Sequence, residues 1–168
     1  MQSVYLEQID TRKEIQKLHE LIQMVWRQYY GPIMGEGKVN RFLTLKQSPE
    51  QIQAEIASEA SAYYFIHSQQ SKEIIGYLAY HFADNALVID KLYLIYSLRG
   101  QGISHEIIAY FEELASGHNA QAIRLWINEE NATGIDIFKH FGFTEFNKRR
   151  TPLDQGYVLK EVGLEKKI

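Results

Sequence analysis

Residues 89–104, IDKLYLIYSLRGQGIS, run from an apolar stretch into a turn holding two glycines one residue apart. The apolar stretch begins earlier, as LVIDKLYLIY at 87–96, and reads as a strand. On the far side, HEIIAYFEELA at 105–115 spaces its apolar residues as a helix does. A glycine turn between strand and helix gathers backbone N–H groups at the positive end of the helix dipole, which suits a phosphate. Three designs use such a turn. A P-loop needs glycine followed by lysine and then serine or threonine, and GQGISH at 100–105 lacks the lysine. A dinucleotide fingerprint needs G-x-G-x-x-G. Gly100 and Gly102 fit it, but His105 stands at the third glycine, and the preceding strands read as hairpin partners. The third design is Gln or Arg, two residues, Gly, one residue, then Gly or Ala. Arg99, Gly102 and Ser104 take its fixed positions. Glycine matters here because a side chain would hold the phosphate away from the amides.

Working outward, SVYLEQI at the start alternates as a strand, and Ile15, Leu18, Leu21, Ile22, Val25 and Trp26 make one helical face. Thr11 with Glu14 forms a candidate capping box. GPIMGEGKVN at 31–40 is expected to break this helix, and RFLTLKQ at 41–47 is left open as short helix or loop. SPEQIQAEIASEA starts a further helix, with Ser48 as cap and Pro49 at its first position. AYYFIHS and EIIGYLAYHF then read as a hairpin around QQSK, and ADNA turns into the strand of the opening stretch. After the 102–116 helix come a strand at AIRLWIN, a helix at NATGIDIFKHF and a closing antiparallel pair. The expected order is β-α-α-β-β-β-α-β-α-β-β: a single α+β domain over 1–168, its mixed sheet largely antiparallel.

Bulk composition excludes several classes. At 168 residues the chain can bury a core without staples. A net charge of −3 offers no electrostatic case for nucleic acid. There is no cysteine, hence no thiolate nucleophile and no disulfide framework. Six scattered histidines show no ligand spacing, so no metal is expected. The N-terminal residues lack a basic start and apolar core, and no run approaches a membrane span, so the expected location is the cytoplasm, with no membrane partner.

The turn in its context resembles GNAT N-acetyltransferases. IDKLYLIYSLRGQGIS is similar to their central strand and pyrophosphate loop. LWINEENATGIDIFKHFGF at 125–143 is similar to their later strand, Asn-bearing turn, helix and closing Gly-Phe. EIIGYLAY at 73–80 matches their I-x-G-Y strand. The resemblance covers about residues 60–147, and RFLTLKQSPEQIQAEI at 41–56 is reminiscent of PaiA-type polyamine acetyltransferases. It implies a GNAT-like fold with a splayed central strand pair, and acetyl transfer from acetyl-CoA to an amine. A small primary amine such as a polyamine is favoured. The rivals are acetylation of a protein N-terminus or lysine, and acetyl-CoA binding without turnover. A homodimer is also compatible with the family.

The resemblance implies site residues as well. Arg99, Gly100, Gln101, Gly102, Ile103, Ser104 and His105 would cradle the pyrophosphate. The backbone of Leu92, Tyr93 and Leu94 would receive the pantetheine arm, as an added strand. The amide near Leu94 would polarise the acetyl carbonyl. Asn131 would bond the cosubstrate, cap a helix, or do both. Lys139 and His140 lie near the expected 3′-phosphate or lower pantetheine, and Phe138 is a further candidate to contact the cosubstrate. Three departures stand out: Ser104 where Gly or Ala is usual, Gly134 where Ala is common, and Phe138 where many relatives carry a tyrosine proposed to protonate the leaving thiolate. An acceptor amine must lose a proton before it attacks. Asp90, four residues before Leu94 on the same strand side, is the first candidate base, and His81 on the neighbouring strand is the second. Tyr29, Tyr30, Glu36 and Asp84 are candidates to receive a cationic acceptor through aromatic faces and carboxylates.

Overall fold

The structure is a computed structural model and describes residues 1–95, 102–153 and 156–168. The elements follow as β1 (Val4–Gln8), α1 (Arg12–Met34), α2 (Glu36–Lys46), α3 (Pro49–Ala57), β2 (Ala62–Ser68) and β3 (Ile74–Ala83). After these come β4 (Ala86–Leu94), α4 (Ile103–Gly117), β5 (Ala122–Asn128), α5 (Ala132–His140), β6 (Thr144–Pro152) and β7 (Val158–Lys167). The fold is α+β, with strand order β1-β2-β3-β4-β5-β7-β6 in a mixed sheet. The pairs β1–β2, β2–β3, β5–β7 and β7–β6 are antiparallel, and β4–β5 is parallel. Backbone contacts divide the chain into two compact units, Met1–His81 with Asp90–Glu106 and Phe82–Ile89 with Ile107–Ile168.

In the first unit, the Thr11 side chain accepts the Glu14 amide at 3.2 Å, and the Glu14 carboxylate reaches back to the Asp10 amide at 3.1 Å. This starts α1, whose Ile15, Leu18, Ile22, Val25 and Trp26 are buried as the helical spacing predicts, while Leu21 is only partly buried. The break falls inside the expected 31–40 stretch, though not at its start: α1 continues through Gly31 and Pro32 to Met34. Pro32 has no N–H to give the Gln28 carbonyl, so the helix forgoes one ladder bond there and runs only two residues further. The break falls at Gly35, whose φ of +82° ends α1 and whose N–H returns to the Gly31 carbonyl at 2.9 Å. The 41–47 stretch, left open above, belongs to α2 up to Lys46. Ser48 and Gln51 close a capping box on α3.

The two central strands of this unit meet at one glycine. A Cβ on Gly76 would lie 2.3 Å from the Tyr93 carbonyl oxygen, so only glycine lets β3 pass β4 there. That is the physical content of the I-x-G-Y pattern. The Ile95 amide, just past β4, bonds the Ile75 carbonyl at 2.9 Å.

In the second unit, Ile107, Ile108, Phe111 and Ala115 of α4 are buried, as are Ile123, Leu125 and Ile127 at alternate positions of β5. The parallel ladder runs from Ala86↔Ala122 to Ile89↔Leu125. β4 itself goes on to Leu94.

Candidate active site

The two candidate bases are brought together. Asp90 leaves β4 next to His81 near the end of β3, and His81 Nδ1 lies 2.8 Å from Asp90 Oδ2. Their side chains are 34% and 24% exposed, so the pair is reachable from solvent yet anchored. A third residue joins them: the Ser61 hydroxyl, just before β2, donates to the same Oδ2 at 2.7 Å. Ser61 is one of three buried polar residues in the described chain. Sequence reading passed over it, and its only signal was a serine opening an otherwise apolar strand. An ionised carboxylate accepts and never donates. Against such a carboxylate Nδ1 is the donor of this bond, and an imidazole that is neutral in this arrangement carries its lone pair on Nε2.

Lys91, the next residue, enters a different environment. Its ammonium donates to the Tyr63 hydroxyl at 2.8 Å and lies 5.1 Å from the centre of that ring. Tyr63 in turn donates to Glu55 of α3 at 2.6 Å. Burial pushes the Lys91 ammonium below its ordinary value, against the pull of the Glu55 and Asp90 charges. Burial, with the hydrogen bond to Glu55, pushes the Tyr63 phenol well up. This Lys91–Tyr63–Glu55 relay was not foreseen either, because it joins residues from β4, β2 and α3.

Beyond the relay, Tyr93 stacks on Tyr77 at 5.2 Å, and Trp26 stacks on Tyr30 at 4.4 Å and on Phe42 at 4.5 Å. Trp26 also donates its ring N–H to the Tyr77 hydroxyl at 3.1 Å. Two acceptor candidates fall in this cluster. Tyr29 is partly buried and meets Tyr93 edge-on at 5.7 Å. Tyr30 is 2% exposed, a core residue, so its ring face is not open to an incoming cation. Glu36 sits exposed at the first turn of α2.

The loop candidates Arg99, Gly100 and Gln101 lie outside the described residues. Of the remainder, Gly102 has φ +79°, a conformation that favours glycine, with open space where a Cβ would stand. Ile103, Ser104 and His105 form the first turn of α4. Ile103 is buried, Ser104 half-buried and His105 exposed. A glycine at positive φ opening a helix, with free space at its Cα, fits an anionic group such as a pyrophosphate. On β4, Leu92 and Tyr93 are half-buried and Leu94 is buried. The Glu106 carboxylate, also in the first turn of α4, accepts the Gln2 and Ser3 amides at 2.8 and 2.9 Å. Burial opposes its ionisation, but those amides win and hold it below the ordinary range.

In the second unit, Asn131 caps α5, its side-chain oxygen accepting the Gly134 amide at 3.0 Å. The cap reading of Asn131 is thereby seen, it is compatible with a cosubstrate contact, and it also accounts for Gly134. A Cβ there would lie 2.6 Å from the Asn131 side-chain nitrogen and 2.8 Å from Ile127. Phe138 is half-buried and meets Phe143 edge-on at 5.3 Å, and Lys139 is exposed. Asp84 sits exposed in the β3–β4 turn at φ +51°. Among the described residues, no group of His, Asp and Glu is arranged to hold a metal ion, and no helix is long and apolar enough to cross a membrane.

A family model of the acetyltransferase (GNAT) domain matches residues 32–152. The chain belongs to that family, and it is an acetyl-CoA-dependent N-acetyltransferase. No curated protein sequence matches it. Solved structures share its fold at low identity. The PaiA N-acetyltransferase of Thermoplasma acidophilum, solved with coenzyme A, is 18% identical over 99% of either chain, with a TM-score of 0.76. The ribosomal-protein-alanine N-acetyltransferase of Brucella melitensis is 14% identical over 98% of this chain and 99% of its own, at 0.66. The IAA acetyltransferase of Bacillus cereus is 16% identical over 99% and 100%, at 0.63.

Proposed function

We propose that the protein acetylates a small primary amine, with polyamines the favoured class, and that Asp90 and His81 act together as its base. The hydrogen bond between these two side chains, at 2.8 Å on neighbouring strands, carries the mechanism. The PaiA-like 41–56 segment and the mildly acidic net charge of −3 support a cationic small acceptor. In this reading the backbone of Leu92, Tyr93 and Leu94, beyond the last parallel pair Ile89↔Leu125, receives the pantetheine arm. Gly102, Ile103, Ser104 and His105 at the start of α4 hold the pyrophosphate together with the Arg99–Gln101 loop. Tyr29 and Glu36 are the candidates to receive the acceptor.

His81 Nε2 takes one proton from the ammonium of the acceptor. The freed nitrogen lone pair attacks the thioester carbonyl carbon, forming the N–C bond. The C–S bond then breaks, and the thiolate takes the surplus proton still on nitrogen. The imidazolium returns its proton to water. Thiols ionise at about 8.5, so the thiolate leaves without a dedicated acid. Phe138, which has no proton to give, is then no obstacle.

The chain has no cysteine, so a thiol reagent sees only released CoA. Thiol release from acetyl-CoA is expected with spermidine, spermine or a diamine, and weakly with amino acids or a lysine peptide. Release with the lysine peptide alone would move the acceptor to protein, and acetyl-CoA binding with no release across the panel would contradict the proposed acceptors.

A further inference from the structure

We infer that Ser61 is a positioning residue for acetyl transfer, locking the Asp90 carboxylate so that His81 presents Nε2 to the acceptor amine. The inference rests on the proposed role of the Asp90–His81 pair. Ser61 is 7% exposed, and its single hydroxyl hydrogen has two acceptors in reach, Asp90 Oδ2 at 2.7 Å and the Tyr80 carbonyl at 3.4 Å. The shorter, charge-assisted contact takes the hydrogen. Oδ2 then holds two donors at once, Ser61 from one side and His81 Nδ1 from the other. Two donors on one oxygen fix the torsion of the carboxylate, and the fixed carboxylate fixes the ring and its tautomer.

The arrangement differs from a nucleophilic triad. There the serine bonds the imidazole, which removes its proton. Here it bonds the carboxylate, so its oxygen gains no nucleophilicity and its task is orientation. The neighbouring polar groups are engaged elsewhere: Lys91 donates to Tyr63, and Tyr63 to Glu55. A buried hydroxyl would otherwise be a poor choice beside an apolar strand, since it must find a partner to offset its lost hydration.

The test is a set of steady-state measurements on Ser61→Ala, Ser61→Thr, His81→Ala, and Ser61→Ala in an Asp90→Asn background. Ser61→Ala is expected to lower kcat by about tenfold, the low end of the range known for removing the outer partners that orient metal-bound histidines. Its KM for acetyl-CoA is expected to stay within about twofold, because the cradle is untouched. Ser61→Thr, which keeps the hydroxyl, is expected to recover most of the rate. In the Asp90→Asn background, Ser61→Ala is expected to cost almost nothing more, because the path from serine to imidazole is already cut. Melting temperatures and acetyl-CoA binding establish that each variant is folded. An unchanged Ser61→Ala rate alongside a damaged His81→Ala enzyme would overturn the role of Ser61 alone. A full, additive loss in the Asp90→Asn background would also overturn it. A wild-type rate in His81→Ala would overturn the base itself, and the positioning role with it.

Discussion

Asp90 and Lys91 are consecutive on one strand, and their charges are treated in opposite ways. Asp90 meets Ser61 and His81 at a half-exposed place, where protons can be exchanged with an entering molecule. Lys91 is tied through Tyr63 to Glu55 among aromatic side chains, where burial works against its charge. A partly buried ion relay of this kind contributes little net stability when whole, but it is costly to break, because its charged ends lose the hydroxyl they share. The lesson is that adjacent charged residues divide the labour. In the proposed mechanism one belongs to the chemistry and its neighbour to the fold, and the difference lies in what each side chain meets.

Replacing His81 by alanine should separate the two sides most sharply. We expect kcat to fall about 100-fold, within the usual range for a positioned base, with the melting temperature nearly unchanged. A large loss of stability would break the comparison, since His81 would then belong to the fold. Gly102→Asp should act on neither charge. It forces a side chain onto a φ of +79° and sets a carboxylate at the helix start. Calorimetry is expected to show acetyl-CoA affinity lost while the circular dichroism spectrum is kept, and unchanged affinity would remove this turn from the cosubstrate site.

Tyr63→Phe tests the opposite side. It strips Lys91 and Glu55 of their shared hydroxyl and should cost about 1–3 kcal/mol in chemical denaturation. Turnover at saturating substrates should change less than about threefold, and a larger drop would draw the relay into the chemistry. The smallest effect is one of pH. Burial raises the phenols of Tyr63, Tyr77 and Tyr93, and it raises that of Tyr64 to about 12, from an ordinary 10.0. The unfolded chain therefore releases protons first, so this contribution is whole below pH 10 and is lost as pH rises above it. Denaturation midpoints are expected to hold up to pH 10 and to decline from there towards 12.

Much of this was legible in the sequence because it is local. The stripe of α1, the Thr11 cap and the Ser48–Gln51 box depend on residues within a few positions of one another. The strand β4 and the helix α4 on either side of the glycine stretch were equally readable. What could not be read was convergence. Ser61, His81 and Asp90 lie on or beside three different strands, and only the strand registers bring them together. Tyr30 looked like a binding residue because aromatic character does not tell a core ring from an open one, and the helix packing buried it. The end of α1 was legible only to within the 31–40 stretch, because Gly31 and Pro32 also look like a stop. Positive φ at Gly35 provides one. Gly134 looked like a weak spot in α5 until the Asn131 cap showed what a methyl group would strike.

The central claim is that the Asp90–His81 pair removes the proton of the acceptor. The most direct test is the turnover rate of Asp90→Asn with both substrates saturating, alongside its acetyl-CoA affinity by calorimetry. An amide at this position can donate to His81 Nδ1 and so favour the wrong tautomer. The expected result is a rate lower by about 100-fold with an affinity within about twofold of wild type. A wild-type rate at unchanged affinity would contradict the account and leave the proton to another group.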